Sequence, residues 1–171
     1  MWEFRRLHYA GLLAGVDSGT TSEEKGAALE NLMEYLFGLV PGLSIDAKDR
    51  RTDAEELDLV LFNERSHPVL VPWEPVILVE CKNWSGPLPA RDVVVFVNEL
   101  RRRHLQNGIL VAKNGISGNQ YRDAGRMIFE ALHEGFRVVV LTGNQLEQVD
   151  GRDSFIQLLK NKYCGIFVGN F

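Results

Sequence analysis

The chain is poor in cysteine: it contains Cys81 and Cys164, whose separation matches no metal-binding or redox spacing. Such distant cysteines in a protein without an export signal are expected to stay reduced. No apolar run is long enough to span a bilayer, and the stretch after Arg5 and Arg6 is too polar for a typical secretory signal. We therefore expect a cytoplasmic protein held together by packing alone.

Positive charge is not in excess either. The 19 basic residues are outnumbered by 23 acidic ones, for a formal net charge of −4. This balance argues against a protein that coats nucleic acid nonspecifically, because such binding depends on a basic surface. The length of 171 residues suits one core, and no repeat is evident. We predict one domain over 22–171, preceded by an accessory segment, 1–21, that forms a helix and a loop.

Hydrophobic spacing predicts alternating elements after this segment. Thr21 and Glu24 form a capping box before apolar residues at helical spacing, which predicts a helix over 22–38. Strands are expected at 43–47, 57–62, 76–82, 108–112 and 136–141, and further helices at 90–104, 119–133 and 153–162. The proline-rich segment 63–75 is predicted to be a long turn with a piece of strand at 69–71.

The later strands are apolar on both faces and alternate with helices, which indicates parallel strands covered on both sides. The earlier strands are joined directly and are therefore expected to be antiparallel. The sequence thus predicts an α/β fold with a central mixed β-sheet flanked by helices.

The most informative segment is 76–85, in which an apolar strand ends in Glu80, Cys81 and Lys82. Alternate residues of a strand share a face, so Glu80 and Lys82 point together while Cys81 points away. Burial disfavours isolated charges. A carboxylate and an ammonium at the end of a buried strand therefore indicate a site for a metal ion and a phosphate.

Asp58 lies inside the preceding strand, where an antiparallel neighbour would bring it to Glu80. Mg²⁺ takes oxygen ligands and is commonly held by one or two carboxylates. We predict that Asp58, Glu80 and the backbone carbonyl of Cys81 bind Mg²⁺, for which Mn²⁺ is expected to substitute. Lys82 would hold the attacking water and offset charge on the phosphate. Glu30, bordering the buried face of the first helix, would reach the metal through water.

Structural alternatives exist for each of these residues. Glu80 and Lys82 would also suit an ion pair on an edge strand, and Asp58 would suit a solvent-facing position. Glu30 would equally pair with Lys25 or be exposed. A Glu-x-Lys tripeptide alone is a weak signal, but the apolar run before it and the acidic residues in order ahead of it strengthen the functional interpretation.

Residues outside this group are candidates for nucleic-acid contact: Lys113, Gln120, Arg122, Arg101, Arg102 and Arg103. Lys113 follows a buried strand, and ligands favour the carboxyl end of such strands. Gln120 and Arg122 begin a predicted helix, whose N-terminus favours phosphate. The arginine run would either contact phosphate or complement a helix dipole. Trp73 and Trp84 are expected to pack at the sheet edge and not to stack on bases.

The order of these motifs resembles the PD-(D/E)xK nuclease superfamily, closest to restriction endonuclease-like proteins of the Mrr type, over about 26–141. The resemblance is carried by Ala28-Leu29-Glu30, Leu57-Asp58-Leu59-Val60, Val79-Glu80-Cys81-Lys82-Asn83-Trp84 and Gly108-Ile109-Leu110-Val111. Leu57 stands where the motif has its proline. The resemblance implies a restriction endonuclease-like three-layer sandwich, with Asp58 and Glu80 as magnesium ligands, Lys82 as the catalytic lysine and Glu30 as the helix-borne acid.

We therefore expect a Mg²⁺-dependent endonuclease that hydrolyses DNA phosphodiester bonds, in defence, restriction or repair. Cleavage of both strands would favour a homodimer. The alternative is an inactive nucleic-acid- or protein-binding module that has kept the nuclease fold. A nucleotide-binding domain is disfavoured because the loops after Ala112 and Leu141 contain no phosphate-cradling glycine pattern.

Overall fold

A five-stranded mixed sheet forms the centre of the protein, as the computed structural model shows for the residues it describes, 3–51, 56–119 and 121–171. In spatial order its strands are β1 (Leu43–Arg51), β2 (Glu56–Asn63), β3 (Val76–Lys82), β4 (Asn107–Ala112) and β5 (Arg137–Thr142). The first three strands pair antiparallel, and the last three pair parallel. The predicted α/β class with a mixed sheet is confirmed.

The helices are α1 (Arg6–Ser18), α2 (Ser22–Gly38), α3 (Ala90–Arg102), α4 (Asp123–His133), α5 (Gly143–Leu146) and α6 (Arg152–Gly165). Of these, α2, α3 and α6 begin and end close to the predicted positions, and α5 was not predicted. The capping box before α2 is confirmed: the Glu24 N–H donates to the Thr21 hydroxyl, and the Thr21 N–H donates to the Glu24 carboxylate, both at 3.1 Å. No helix of the described residues is long and apolar enough to cross a membrane.

Two local predictions are wrong. The strand piece expected at 69–71 is a 3₁₀ turn, Pro68–Leu70, because the fixed φ of proline suits its first position and His67 Nδ1 accepts the Val69 N–H at 3.3 Å. The helix expected from 119 begins only at Asp123. Asn119 and Arg122 instead bond to each other's backbone at 3.0 and 3.1 Å, closing a tight turn before α4.

Both faces of the sheet are buried. On one face, side chains of β3 such as Ile77 and Val79 pack with α1, α2 and α6. On the other face, Leu78 and its neighbours pack with α3 and α4. The first helix belongs to the same core, since Tyr9 is buried and its hydroxyl donates to the Leu146 carbonyl at 2.6 Å. The predicted free state of Cys81 and Cys164 is confirmed.

Candidate active site

Strands β2 and β3 separate at one end of the sheet. Their backbone pairing ends at Leu59 and Val79, whereas β2 stays paired with β1 to its first residue and β3 stays paired with β4 to its last. We call the gap between the separating strands the fork. Continuing the register by one residue sets Asp58 opposite Glu80 at the fork. Directly opposed residues of an antiparallel pair share a sheet face, so this register sets the two carboxylates on the same side.

Asp58 fills the hydrogen-bonding position that opens at the fork. Its side chain is buried at 7% exposure, and its Oδ2 accepts the backbone N–H of Cys81 at 2.6 Å. A strand residue presents its N–H and its C=O to the same neighbour, so the Cys81 carbonyl also faces the fork. The Lys82 carbonyl faces away from the fork and accepts the N–H of Lys113, the residue after β4, at 3.0 Å. Carboxylate and carbonyl oxygens therefore line one side of the fork.

Glu80 and Lys82 form an ion pair, Oε1 to Nζ, on the central strand of the sheet rather than on an edge strand. Burial by itself lowers the pKa of Lys82. The charge and hydrogen bond of Glu80, together with the charge of Asp58, outweigh burial and raise that pKa overall. The lysine is therefore held as an ammonium ion beside two carboxylates.

Glu30 reaches this region from α2. Its side chain is buried at 9% exposure, which excludes the solvent-exposed alternative. Burial first, and then the charges of Asp58, Glu30 and Glu80, raise the pKa of the Cys81 thiol well above its ordinary value. The charges of all three carboxylates therefore act on Cys81, and that of Glu30 comes from α2.

A cleft of about 950 Å³ opens over this cluster. Its walls come from α2, the end of β3 and the loop after β3: Ser22, Glu23, Lys25, Gly26, Ala27, Glu30, Asp58, Cys81, Lys82, Asn83, Trp84, Ser85, Gly86 and Pro87. Glu80 is not among these lining residues, but its ion-pair partner Lys82 is. The structure thus places Glu30, Asp58 and Lys82 on the walls of one cleft, with Glu80 paired to Lys82.

Asn83 is a structural residue that the sequence analysis missed. Its amide donates to the Val16 carbonyl at 2.9 Å and to the Lys25 carbonyl at 2.8 Å. It therefore ties the end of α1 and the first turns of α2 to the strand that carries Lys82. An asparagine directly after a strand is the only signal in the sequence, and it does not name these partners.

Trp73 and Trp84, the two tryptophans expected to pack at the sheet edge, differ in burial. Packing is confirmed for Trp73, which is 1% exposed and lies against the Tyr163 ring with centroids 4.8 Å apart. The packing prediction is wrong for Trp84, which is 40% exposed and lines the cleft. Its position on the loop after β3, beyond the end of the sheet, leaves it no strand to pack against.

The remaining predicted contacts divide between the two ends of the sheet. Lys113 follows β4 at the site end, where it pairs with Asp17, and Arg122 precedes α4 as an exposed residue. Gln120 lies outside the described residues. The arginines at the end of α3 lie at the opposite end, because α3 runs back from the end of β3 to the start of β4. Arg101 pairs there with Glu134, and Arg102 and Arg103 pair with Glu99.

The donor set at the fork suits a hard cation. Among the described residues, no group of three or more His, Cys, Asp or Glu side chains is placed to hold a metal ion. The fork instead offers two carboxylates and a backbone carbonyl. Magnesium commonly needs no more than one or two protein carboxylates, with water and substrate phosphate as its other ligands.

Comparison with known proteins adds no assignment: no protein-family model matches the chain, and no curated protein matches it. Functional inference therefore depends on the residues and the geometry of the cleft.

Proposed function

We propose that the protein is a metal-dependent endonuclease that hydrolyses DNA phosphodiester bonds, with a role in defence, restriction or repair. Its mixed sheet with helices on both faces is then a restriction endonuclease-like three-layer sandwich of the PD-(D/E)xK superfamily. One observation carries the proposal: the pairing of β2 with β3 ends just before Asp58 and Glu80, and Lys82, the ion-pair partner of Glu80, lines a cleft together with Asp58.

In this proposal Asp58, Glu80 and the Cys81 carbonyl hold Mg²⁺ or Mn²⁺, and Glu30 contacts the ion through water. The bound cation supplies positive charge that polarises the scissile phosphate and activates water. The charges on the cleft walls fit this requirement, because the carboxylates of Glu23, Glu30 and Asp58 outnumber the ammonium groups of Lys25 and Lys82. A phosphodiester approaching this surface without a cation would be repelled.

Lys82 has a separate role. Its ammonium group can share its hydrogen-bond donors between Glu80 and a phosphate oxygen or water, since an ammonium has three of them. A fixed positive charge there stabilises the charge that grows on the phosphate during attack. In the proposal Lys113, at the same end of the sheet, contacts a neighbouring phosphate.

The test is nicking of supercoiled plasmid in Mg²⁺ by wild type, Glu80→Gln and Lys82→Met. We expect each substitution to slow nicking about 100-fold or more, the scale reported for loss of one transition-state contact. Glu134→Gln and Lys160→Met are matched controls, because both residues are exposed and distant from the fork. Equal nicking by wild type and site variants would assign the activity to a contaminant.

DNA binding by the wild type without any cleavage would instead favour the inactive binding module. Cleavage of both strands would need two sites facing each other, so we propose a homodimer for that activity. Size-exclusion chromatography with light scattering tests the assembly, and a monomer at working concentration would rule the dimer out.

A further inference from the structure

The cleft contains an exposed aromatic side chain that the chemistry proposed above does not use. Trp84 lies two positions after Lys82 and lines the same cleft. We infer that the cleft binds an unpaired DNA strand and that one of its bases stacks on the Trp84 indole. This inference rests on the proposed nuclease function and names its substrate class.

The loop that carries Trp84 is held in place from several sides. Asn83 bonds to α1 and α2 on one side, and the Asn114 amide donates to the Trp84 carbonyl on the other. Farther along the loop, the Leu88 N–H donates to the Gly115 carbonyl at 2.9 Å, and the Leu88 carbonyl accepts the Ser117 N–H at 2.8 Å. The backbone under the indole is therefore ordered before any ligand binds, which reduces the conformational entropy lost on binding.

The charge of the cleft disfavours nonspecific binding of a duplex. Nonspecific duplex binding depends on many Lys and Arg contacts to phosphates, whereas the cleft walls carry more carboxylates than ammonium groups. The chain as a whole has a net charge of −4. Stacking of a base on an aromatic ring uses the π-face that every base has, and it adds an attraction that is separate from the phosphate contacts.

The size of the cleft leads to the same class of ligand. A volume of about 950 Å³ lies near the upper end of the range for clefts that bind small molecules. Such a space holds a few nucleotides with their bases turned inward. A base inside a duplex is already stacked on both faces, so it reaches Trp84 only if it is unpaired.

The experiment measures binding of a short labelled oligothymidylate and of a duplex of equal length, by fluorescence anisotropy in Mg²⁺. All proteins carry Lys82→Met, which slows cleavage and leaves the proposed metal ligands Asp58 and Glu80 in place. We expect Trp84→Ala to weaken single-strand binding roughly tenfold, as for loss of one stacked base, and to change duplex binding less than twofold. Trp84→Phe should restore most of the single-strand affinity, and Trp84→Leu, which is apolar but has no ring, should not.

Equal single-strand affinities for the parent and Trp84→Ala would overturn the inference, and so would equal weakening of both ligands. Restoration by leucine as well as phenylalanine would also overturn it, because apolar contact would then suffice. The binding assay does not depend on turnover. Failure of the plasmid assay would therefore count against the nuclease proposal, whereas stacking on Trp84 is tested by the binding assay alone. Matching thermal unfolding midpoints exclude misfolding of the variants.

Discussion

Asn83→Ala is the perturbation whose energetic effect the structure defines best. The amide makes two hydrogen bonds, to the Val16 carbonyl at 2.9 Å and to the Lys25 carbonyl at 2.8 Å, in a partly buried setting. A hydrogen bond of this kind contributes about 0.5–1.5 kcal/mol to stability, so losing both should cost about 2 kcal/mol. For a chain of 171 residues this corresponds to a fall of about 4–8 °C in the unfolding midpoint.

The assay is urea unfolding followed by circular dichroism, with thermal unfolding as a second probe. We expect a lower urea midpoint with an unchanged slope, because the substitution removes local bonds without altering the surface exposed on unfolding. Amide hydrogen exchange should also accelerate at the end of α1 and in the first turns of α2, the two segments that Asn83 connects.

Two further variants make the prediction specific. Asn83→Asp keeps the size of the side chain but cannot donate to either carbonyl when ionised, so it should destabilise at least as much as alanine. Asn161→Ala removes an exposed bond from Gln157 within α6 and should stay within about 0.5 kcal/mol of wild type. If Asn83→Ala and Asn161→Ala had the same unfolding midpoints, the two hydrogen bonds of Asn83 would not hold the helices to β3.

Two other predictions concern the cation and a buried charge. If Asp58 and Glu80 bind Mg²⁺, a cation concentration tenfold above the dissociation constant should stabilise the wild type by about 1.4 kcal/mol and raise its thermal midpoint by about 3–6 °C. The midpoint of Asp58→Asn should rise much less. Equal shifts in both proteins would contradict the ligand assignment. Burial lowers the pKa of Lys162 below its ordinary value of 10.5, so the unfolded chain binds this proton more tightly and stability rises with pH up to that value. Lys162→Met should therefore raise the thermal midpoint at pH 7, with a gain that shrinks toward pH 10.5, and a gain independent of pH would contradict this cause.

The fold could be predicted from the sequence wherever one local pattern decided the outcome. The Thr21 and Glu24 capping box placed the start of α2, and the apolar run 108–112 placed β4 in a sheet that is covered on both faces. The turn at Pro68 was mistaken for strand because its apolar residues satisfy either pattern. The start of α4 was placed too early, at Asn119, whereas the side chain of this residue accepts the Tyr121 N–H at 3.0 Å and its backbone pairs with that of Arg122 in a turn.

The candidate site was predictable in its members but not in its walls. A spacing of two residues sets Glu80 and Lys82 on one face in any strand, and the direct connection of β2 to β3 brings Asp58 to them. The point at which β2 and β3 separate is not encoded in any short motif, because it depends on how far each strand stays paired with its other neighbour. The bonds from Asn83 to α1 and α2, and the exposure of Trp84, likewise depend on contacts distant in sequence.

The fork explains why a charged cluster is tolerated at the end of a buried sheet. If β2 and β3 stayed paired, a backbone carbonyl of β2 would accept the Cys81 N–H and leave no room for a side chain. Because the two strands separate, the Asp58 carboxylate accepts this N–H instead. The cost is that the like charges of Asp58, Glu80 and Glu30 act together on Cys81, with Lys82 offsetting only part of them. A sheet selected for stability alone would stay paired here, so the departure from regular pairing favours a site whose charge balance is completed by a ligand.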